Sequence, residues 1–189
     1  MQQQITLPEF RDSVVLLNGQ QALLRPILPD DRSALAGFFN RLGSETRFLR
    51  FHYTKASITD EELRRYCECD YDSSFTLLAE RRRGQTKDIV GMGTYDRLPD
   101  DGSAEVAFVV EDTEQGNGIG TYLLAELAMI GRQRGLHTFV AEIVTYNEIM
   151  LSIFRKFNRA LKQQIEGDSA RISFSILNPG GSLPMDSWV

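Results

Sequence analysis

Hydrophobic and polar positions divide this chain into short, legible segments. Val14 to Leu17 and Ala22 to Pro26 flank Asn18-Gly19, a pair suited to the positive φ angles of a tight turn, and predict a small β-hairpin. Leu35, Phe38, Phe39 and Leu42 recur at helical spacing behind Pro29-Asp30-Asp31, which supplies an N-terminal cap, and Gly43 ends that helix. Ser44 to Phe51 predicts a second, short helix with Phe48, Leu49 and Phe51 turned inward. Thr59 and Glu62 form a capping box that opens a helix from Asp60 to Cys69, whose charged positions Glu61, Glu62, Arg64, Arg65 and Glu68 read as a solvated face.

Beyond this helical stretch the period changes. Phe75 to Glu80 and Ile89 to Tyr95 are strand-like, and the polar turn Arg82 to Asp88 joins them as an antiparallel hairpin. Gly91 and Gly93 on one face leave room for a neighbouring helix or a ligand. A third strand, Ala104 to Val110, follows Pro99-Asp100-Asp101-Gly102. Ile119, Leu123, Leu127 and Ile130 then form the apolar stripe of a long helix that Gly135 terminates. Thr138 to Val144 is a mostly apolar strand, expected to run parallel to the third strand because a helix crosses between them. Asn147 caps a helix with Met150, Leu151, Phe154 and Phe157 on its core side, and Leu161 to Ile165 with Ile172 to Ile176 predict a closing hairpin. The segment from Asn178, with Pro179-Gly180-Gly181, reads as a loose tail holding Trp188.

Composition narrows the function classes. At 189 residues and 42% hydrophobic, the chain suits one well-buried core. A net charge of -5 and a pI near 5.1 argue against a nucleic-acid or anionic-membrane surface, which needs a basic excess. Cys67 and Cys69 lack a second Cys pair, so no zinc spacing arises, and reduced thiols on a helix surface are expected; no metal is expected at all. With no charged n-region and no long apolar run, a cytoplasmic setting is expected. His52 and His137 are single histidines in patterned segments, without a Ser or Cys partner arrangement, and read as structural.

The densest signal is the turn Gln115-Gly116-Asn117-Gly118-Ile119-Gly120-Thr121, between a strand and a helix. Glycines let backbone approach a ligand, and free N–H groups at a helix start, with the dipole behind them, suit a diphosphate. A P-loop would need Lys after Gly120, where Thr121 and Tyr122 stand. A dinucleotide fingerprint from Gly116 and Gly118 would put its third glycine at Thr121, although Glu142 lies at about the distance of an acidic ribose ligand. The pattern Gln/Arg-x-x-Gly-x-Gly/Ala is met in full by Gln115, Gly118 and Gly120. In that form the stretch resembles the acyl-CoA pyrophosphate loop of the GNAT superfamily of N-acyltransferases.

The resemblance runs from about Leu17 to Ile176. Asn147 with Met150-Leu151 is similar to the second cofactor element of these enzymes, and Leu24 to Asp31, Ser44 to Phe51 and Ala104 to Phe108 resemble the acetyltransferase module of Pat-type protein lysine acetyltransferases. It implies an α/β (α+β) GNAT fold: a mixed, mostly antiparallel sheet of about seven strands, flanked by about four to five helices, with splayed central parallel strands. The domain would occupy residues 14–177, between an N-terminal extension (1–13) and the tail (178–189). The implied activity is acetyl transfer from acetyl-CoA to a primary amine, above all a protein lysine, by a monomer or homodimer; a small amine as acceptor, or a non-catalytic acyl-CoA sensor, are the alternatives. Pat-type enzymes often join this module to a regulatory region, for which this chain lacks the length.

The same resemblance implies that Gln115 to Thr121 and Asn147 meet the cofactor, and that the amides of Phe108, Val109 and Val110 hold its pantetheine arm like an added strand. Glu105 matches the Glu regarded in that group as general base, and partial burial is expected to assist it; Asp96 and Glu142 are secondary candidates. Many GNAT enzymes place a Tyr as general acid where the spacing from Asn147 puts Phe154, which has no proton to give. Tyr146 is the nearest alternative phenol.

Overall fold

The computed structural model describes residues 9–53, 55–100 and 102–177; the expected C-terminal tail, Trp188 and most of the N-terminal extension lie outside the described residues. Eight strands form one sheet in the order β1-β2-β3-β4-β5-β6-β8-β7. They are β1 (Asp12–Val15), β2 (Gln21–Pro26), β3 (Ser74–Arg83), β4 (Thr86–Arg97), β5 (Ser103–Val110), β6 (Thr138–Val144), β7 (Lys162–Glu166) and β8 (Ser169–Ser175). The five α-helices are α1 (Arg32–Arg41), α2 (Ser44–Phe51), α3 (Asp60–Cys67), α4 (Ile119–Gln133) and α5 (Glu148–Phe157). The eight strands are those the patterning predicts, within the mostly antiparallel sheet of about seven that the resemblance implies.

Every neighbouring pair is antiparallel except β5 and β6, which run parallel as the intervening helix requires. Their ladder holds only Ser103 with Thr138, Ala104 with Phe139 and Glu105 with Val140. Past Glu105 the two strands part. β5 continues to pair with β4 as far as Val110, while β6 pairs with β8 as far as Val144.

Because successive side chains alternate faces, each central strand serves two cores. Leu77, Tyr95, Val106 and Phe139 pack beneath α4 and α5 with Leu123, Leu127, Leu151 and Phe154. Leu78, Met92 and Val109 turn the other way, beneath α1 and α3 with Phe38, Phe39 and Leu63. The glycines of β4 act as the pattern predicted: a Cβ at Gly91 would lie 2.8 Å from Ile119 Cγ2, so α4 rests almost on the strand backbone.

Several local expectations change. Cys67 and Cys69 are reduced but buried, not surface thiols, and burial pushes the Cys67 thiol up to about 11. Asp31 does not cap α1. Its carboxylate instead accepts from Leu28 N–H (2.7 Å) and from Arg25 (2.6 and 2.7 Å), whose guanidinium also reaches Glu80. The β3–β4 turn is much tighter than Arg82 to Asp88, since pairing continues to Arg83 with Thr86. Phe48, Leu49 and Phe51 are only half-buried, and Thr46 is the fully buried residue of α2. The capping box of α3 forms as expected, with Thr59 Oγ1 accepting from Glu62 N–H, but the helix stops at Cys67.

Candidate functional site

The parting of β5 and β6 opens a groove of about 500 Å³ at the N-terminus of α4. Phe108, Val109 and Val110 of β5 form its floor, Gln115, Gly116, Gly118, Ile119, Gly120 and Thr121 its head, and Asn147, Met150 and Ile153 of α5 one flank. Thr46, Leu49 and Arg50 of α2 form the opposite flank. Two sequence motifs separated by a whole strand are thus brought to one cavity.

Gly116 (φ 77°) and Gly118 (φ 89°) both hold the left-handed conformation that disfavours a Cβ, and nothing lies within 4 Å of where a Cβ on Gly116 would stand. Among the described residues no side-chain cap bond closes the N-terminus of α4, where Gly118 is the N-cap residue. Unclaimed amides at a helix start form an anion site, so the head of the groove suits a phosphate group.

Along the floor, backbone direction decides which groups are free. Glu111 N–H donates to Val90 O (2.9 Å), and the alternation of an antiparallel ladder then turns Val109 toward β4 and Phe108 and Val110 toward the gap. Val110 O is taken by Gln115 Nε2 at 3.2 Å. Of the three residues expected to offer amides, Phe108 and Val110 face the groove with their backbone, whereas Val109 spends its own on β4.

Other expected residues are placed as follows. Asn147 lines the groove and caps α5, its Oδ1 accepting from Met150 N–H at 3.1 Å. Asn117 does not line it; Asn117 Nδ2 donates inward to Glu114 O, and its own carbonyl accepts from Leu17 N–H. Glu105 sits three residues before Phe108, paired with Asp96 on one side and Val140 on the other. Its side chain is exposed, so the expected partial burial is absent. Cross-strand partners share a face, which places Asp96 beside Glu105, with Arg65 3.7 Å from the Asp96 carboxylate. Glu142 is also exposed and pairs with Arg171 of β8.

Phe154 is 1% exposed and packed against Phe108 and Phe174, at ring-centroid distances of 6.2 and 5.1 Å, while Tyr146 is 60% exposed. His52 closes α2 with φ 61°, and His137 packs on Gly102 at the start of β6; neither lines the groove. Among the described residues no group of three or more His, Cys, Asp or Glu is arranged to hold a metal ion, and no helix is long and apolar enough to cross a membrane.

Thr46, Leu49, Arg50, Glu114, Ile153 and Lys156 line the groove without having been expected there from the sequence. Leu49 and Ile153 read as ordinary apolar positions of helices, and nothing local distinguishes Thr46 from any polar residue in a first helical turn. Glu114 is legible only through its partners: Arg81 and Arg83 hold its carboxyl below the ordinary range against the opposing effect of burial.

A family model described as the acetyltransferase (GNAT) family matches residues 44–158. The chain belongs to the GNAT acetyltransferase family. It is 29% identical over 119 residues to the acetyltransferase PA5475 of Pseudomonas aeruginosa, covering 62% of this chain and 63% of that one. It is 30% identical over 141 residues to the acetyltransferase Pat of Mycolicibacterium smegmatis, covering 74% of this chain and 41% of that one. The chain therefore spans less than two thirds of either relative. Among solved structures, the GNAT domain of S. lividans PAT superposes with a TM-score of 0.79 at 28% identity, over 87% of this chain and 96% of that one. A cAMP-binding acyltransferase from Mycobacterium smegmatis shares the fold at a TM-score of 0.64 and 23% identity, over 94% of this chain and 50% of that one. The GNAT assignment agrees with the geometry: the splayed strands, the glycine-opened helix and the α5 cap all border the groove.

Proposed function

We propose that this GNAT protein transfers the acetyl group of acetyl-CoA to the side-chain amine of a protein lysine. The observation that carries the reading is the β5–β6 ladder, which stops after three pairs, the last at the exposed Glu105, and leaves beyond it a groove headed by the uncapped amides of α4. The residues present fit the donor. The α4 amides from Gly118 onward suit its diphosphate, and the outward backbone of Phe108 and Val110 suits the amides of a pantetheine arm, between the apolar side chains of Leu49, Met150 and Ile153. Protein lysine as acceptor is supported by the relatedness to Pat and by the half-buried Asp96 and the exposed carboxylates Glu105 and Glu142.

A lysine of pKa about 10.4 is over ~99% protonated at neutral pH, and only its neutral form is a nucleophile. Glu105 takes one proton from the ammonium, directly or through water; the neutral amine nitrogen then bonds to the thioester carbon, the carbon–sulfur bond breaks as the thiolate departs, and the second nitrogen proton passes to water as the amide forms. A backbone N–H facing the gap at Phe108 stabilises the charge that develops on the thioester oxygen. Holding both reactants in one groove contributes the rest through proximity. With a sealed phenylalanine at position 154, the thiolate leaves without protonation from that position, which a thiol of pKa about 8.5 tolerates.

Incubation with labelled acetyl-CoA and a panel of proteins and small amines tests the reading. Label on protein lysines supports it, and label only on small amines overturns the acceptor. A second reading, favoured by Phe154, is a non-catalytic acyl-CoA sensor. It predicts donor binding with thiol release no faster than in buffer.

A further inference from the structure

Three acids, Glu111, Asp112 and Glu114, directly precede the glycine turn, where unscreened like charge would repel a diphosphate. Each is engaged elsewhere. Glu111 accepts from Arg41 and Arg83 at 3.0 Å, and Glu114 accepts from Arg83 at 2.9 Å and also from Arg81. Among the described residues Asp112 makes no ion pair. It is held by α2: Oδ2 accepts from Gly43 N–H at 2.9 Å, and Oδ1 accepts from the Thr46 hydroxyl at 2.8 Å.

The Thr46 hydroxyl in turn accepts from Gln115 Nε2 at 3.1 Å. Gln115, first residue of the glycine motif, thus directs its amide at α2 and at Val110 O. Gly43 is required for this approach, since a Cβ there would stand 2.7 Å from Asp112 Oδ1. Thr46 is 8% exposed, so its hydroxyl has little water to replace these partners.

We propose that Asp112 and Thr46 are positioning residues that fasten α2 to the acyl-CoA phosphate loop, making α2 a coupled part of the donor site. Thr46, Leu49 and Arg50 form a whole flank of the groove, so a loosened α2 removes that flank while the glycine turn itself stays intact. The coupling works both ways: a filled loop holds α2 in place, and a seated α2 holds the loop. The inference rests on the acyl-CoA reading of the groove given above.

The test combines calorimetry with CoA and hydrogen exchange of residues 44–51, on wild type, Thr46→Val, Thr46→Ser and Asp112→Asn. In the wild type, CoA slows exchange across α2. Thr46→Val is near-isosteric but has no hydroxyl, so it raises the Kd for CoA roughly tenfold and abolishes the slowing. Thr46→Ser restores both, which a role in packing alone would not predict. Asp112→Asn keeps an acceptor for Gly43 N–H and weakens binding less than Thr46→Val. A Thr46→Val protein that binds CoA within twofold of wild type, with α2 exchange still slowed, overturns the coupling and leaves the acyl-CoA reading intact. A wild type that binds no CoA overturns both.

Discussion

Glu126 lies on α4 with 4% of its surface exposed, and among the described residues its Oε2 has no hydrogen-bond partner. Burial first, and the nearby negative Asp12 second, push its carboxyl up to about 7. A carboxyl whose folded pKa exceeds its unfolded one binds a proton on folding. Stability from this group is therefore fully present below about pH 4.5 and is lost as pH rises toward 7. Glu126→Gln is expected to flatten the fall in stability between pH 5 and pH 8 by about 2 kcal/mol, measured by denaturant melts at each pH. Glu105, the proposed general base, is the opposite case, an exposed acid beside the strand gap. Glu105→Gln is expected to lower kcat by roughly 10²–10⁴-fold at neutral pH while CoA affinity stays unchanged. Part of the activity should return at alkaline pH as the acceptor amine loses its proton without help, and an unchanged kcat would move the base to Asp96 or Glu142.

At the scale of elements, the site depends on how closely α4 approaches β4. Gly91 faces Ile119 and Leu123, and Gly93 faces Leu127 and Phe108, so the first turns of α4 rest on a strip of bare backbone. Gly91→Val would place its Cβ 2.8 Å from Ile119 Cγ2 and 3.4 Å from Leu123 Cδ1. Overpacking of this kind costs ~1–3 kcal/mol and tilts the helix start away from the groove. The expected outcome is a lower Tm together with a raised KM for acetyl-CoA at an unchanged KM for the acceptor. A variant that lost stability but kept its donor KM would separate the packing of α4 from its role at the site. The hold of Asp112 on Gly43 and Thr46 belongs to the same scale, since it is a contact between two elements that fixes the groove's second flank.

For the whole molecule, the sheet is two antiparallel blocks joined by three parallel pairs, with the groove where the join gives out. A ligand bridging that gap touches β5, α2, α4 and α5 together and binds the folded state alone. CoA at a hundred times its Kd should therefore stabilise the protein by about 2.7 kcal/mol, read as a rise in thermal midpoint that grows with ligand concentration. A midpoint indifferent to CoA would sink the donor assignment. The chain's charge of -5 makes binding of a polyanion depend on local arrangement. Arg41, Arg81 and Arg83 occupy the acids beside the loop, and the cationic side chains of Arg50 and Lys156 line the groove.

Periodicity and turn chemistry were enough to determine the order of elements, the parallel join between β5 and β6, the glycine-led start of α4 and the Asn147 cap. Each of these is set by residues within a few positions of one another, except the parallel join, which follows from the single helix that crosses between its strands. Tertiary structure alone decided that β5 and β6 part after Glu105, that Val109 spends its backbone on β4, that Glu105 is exposed, and that Asp112 and Thr46 join α2 to the glycine turn. Those facts depend on which strands and helices meet across dozens of residues, and a buried threonine accepting from Gln115 leaves no mark on the local pattern of apolar and polar positions.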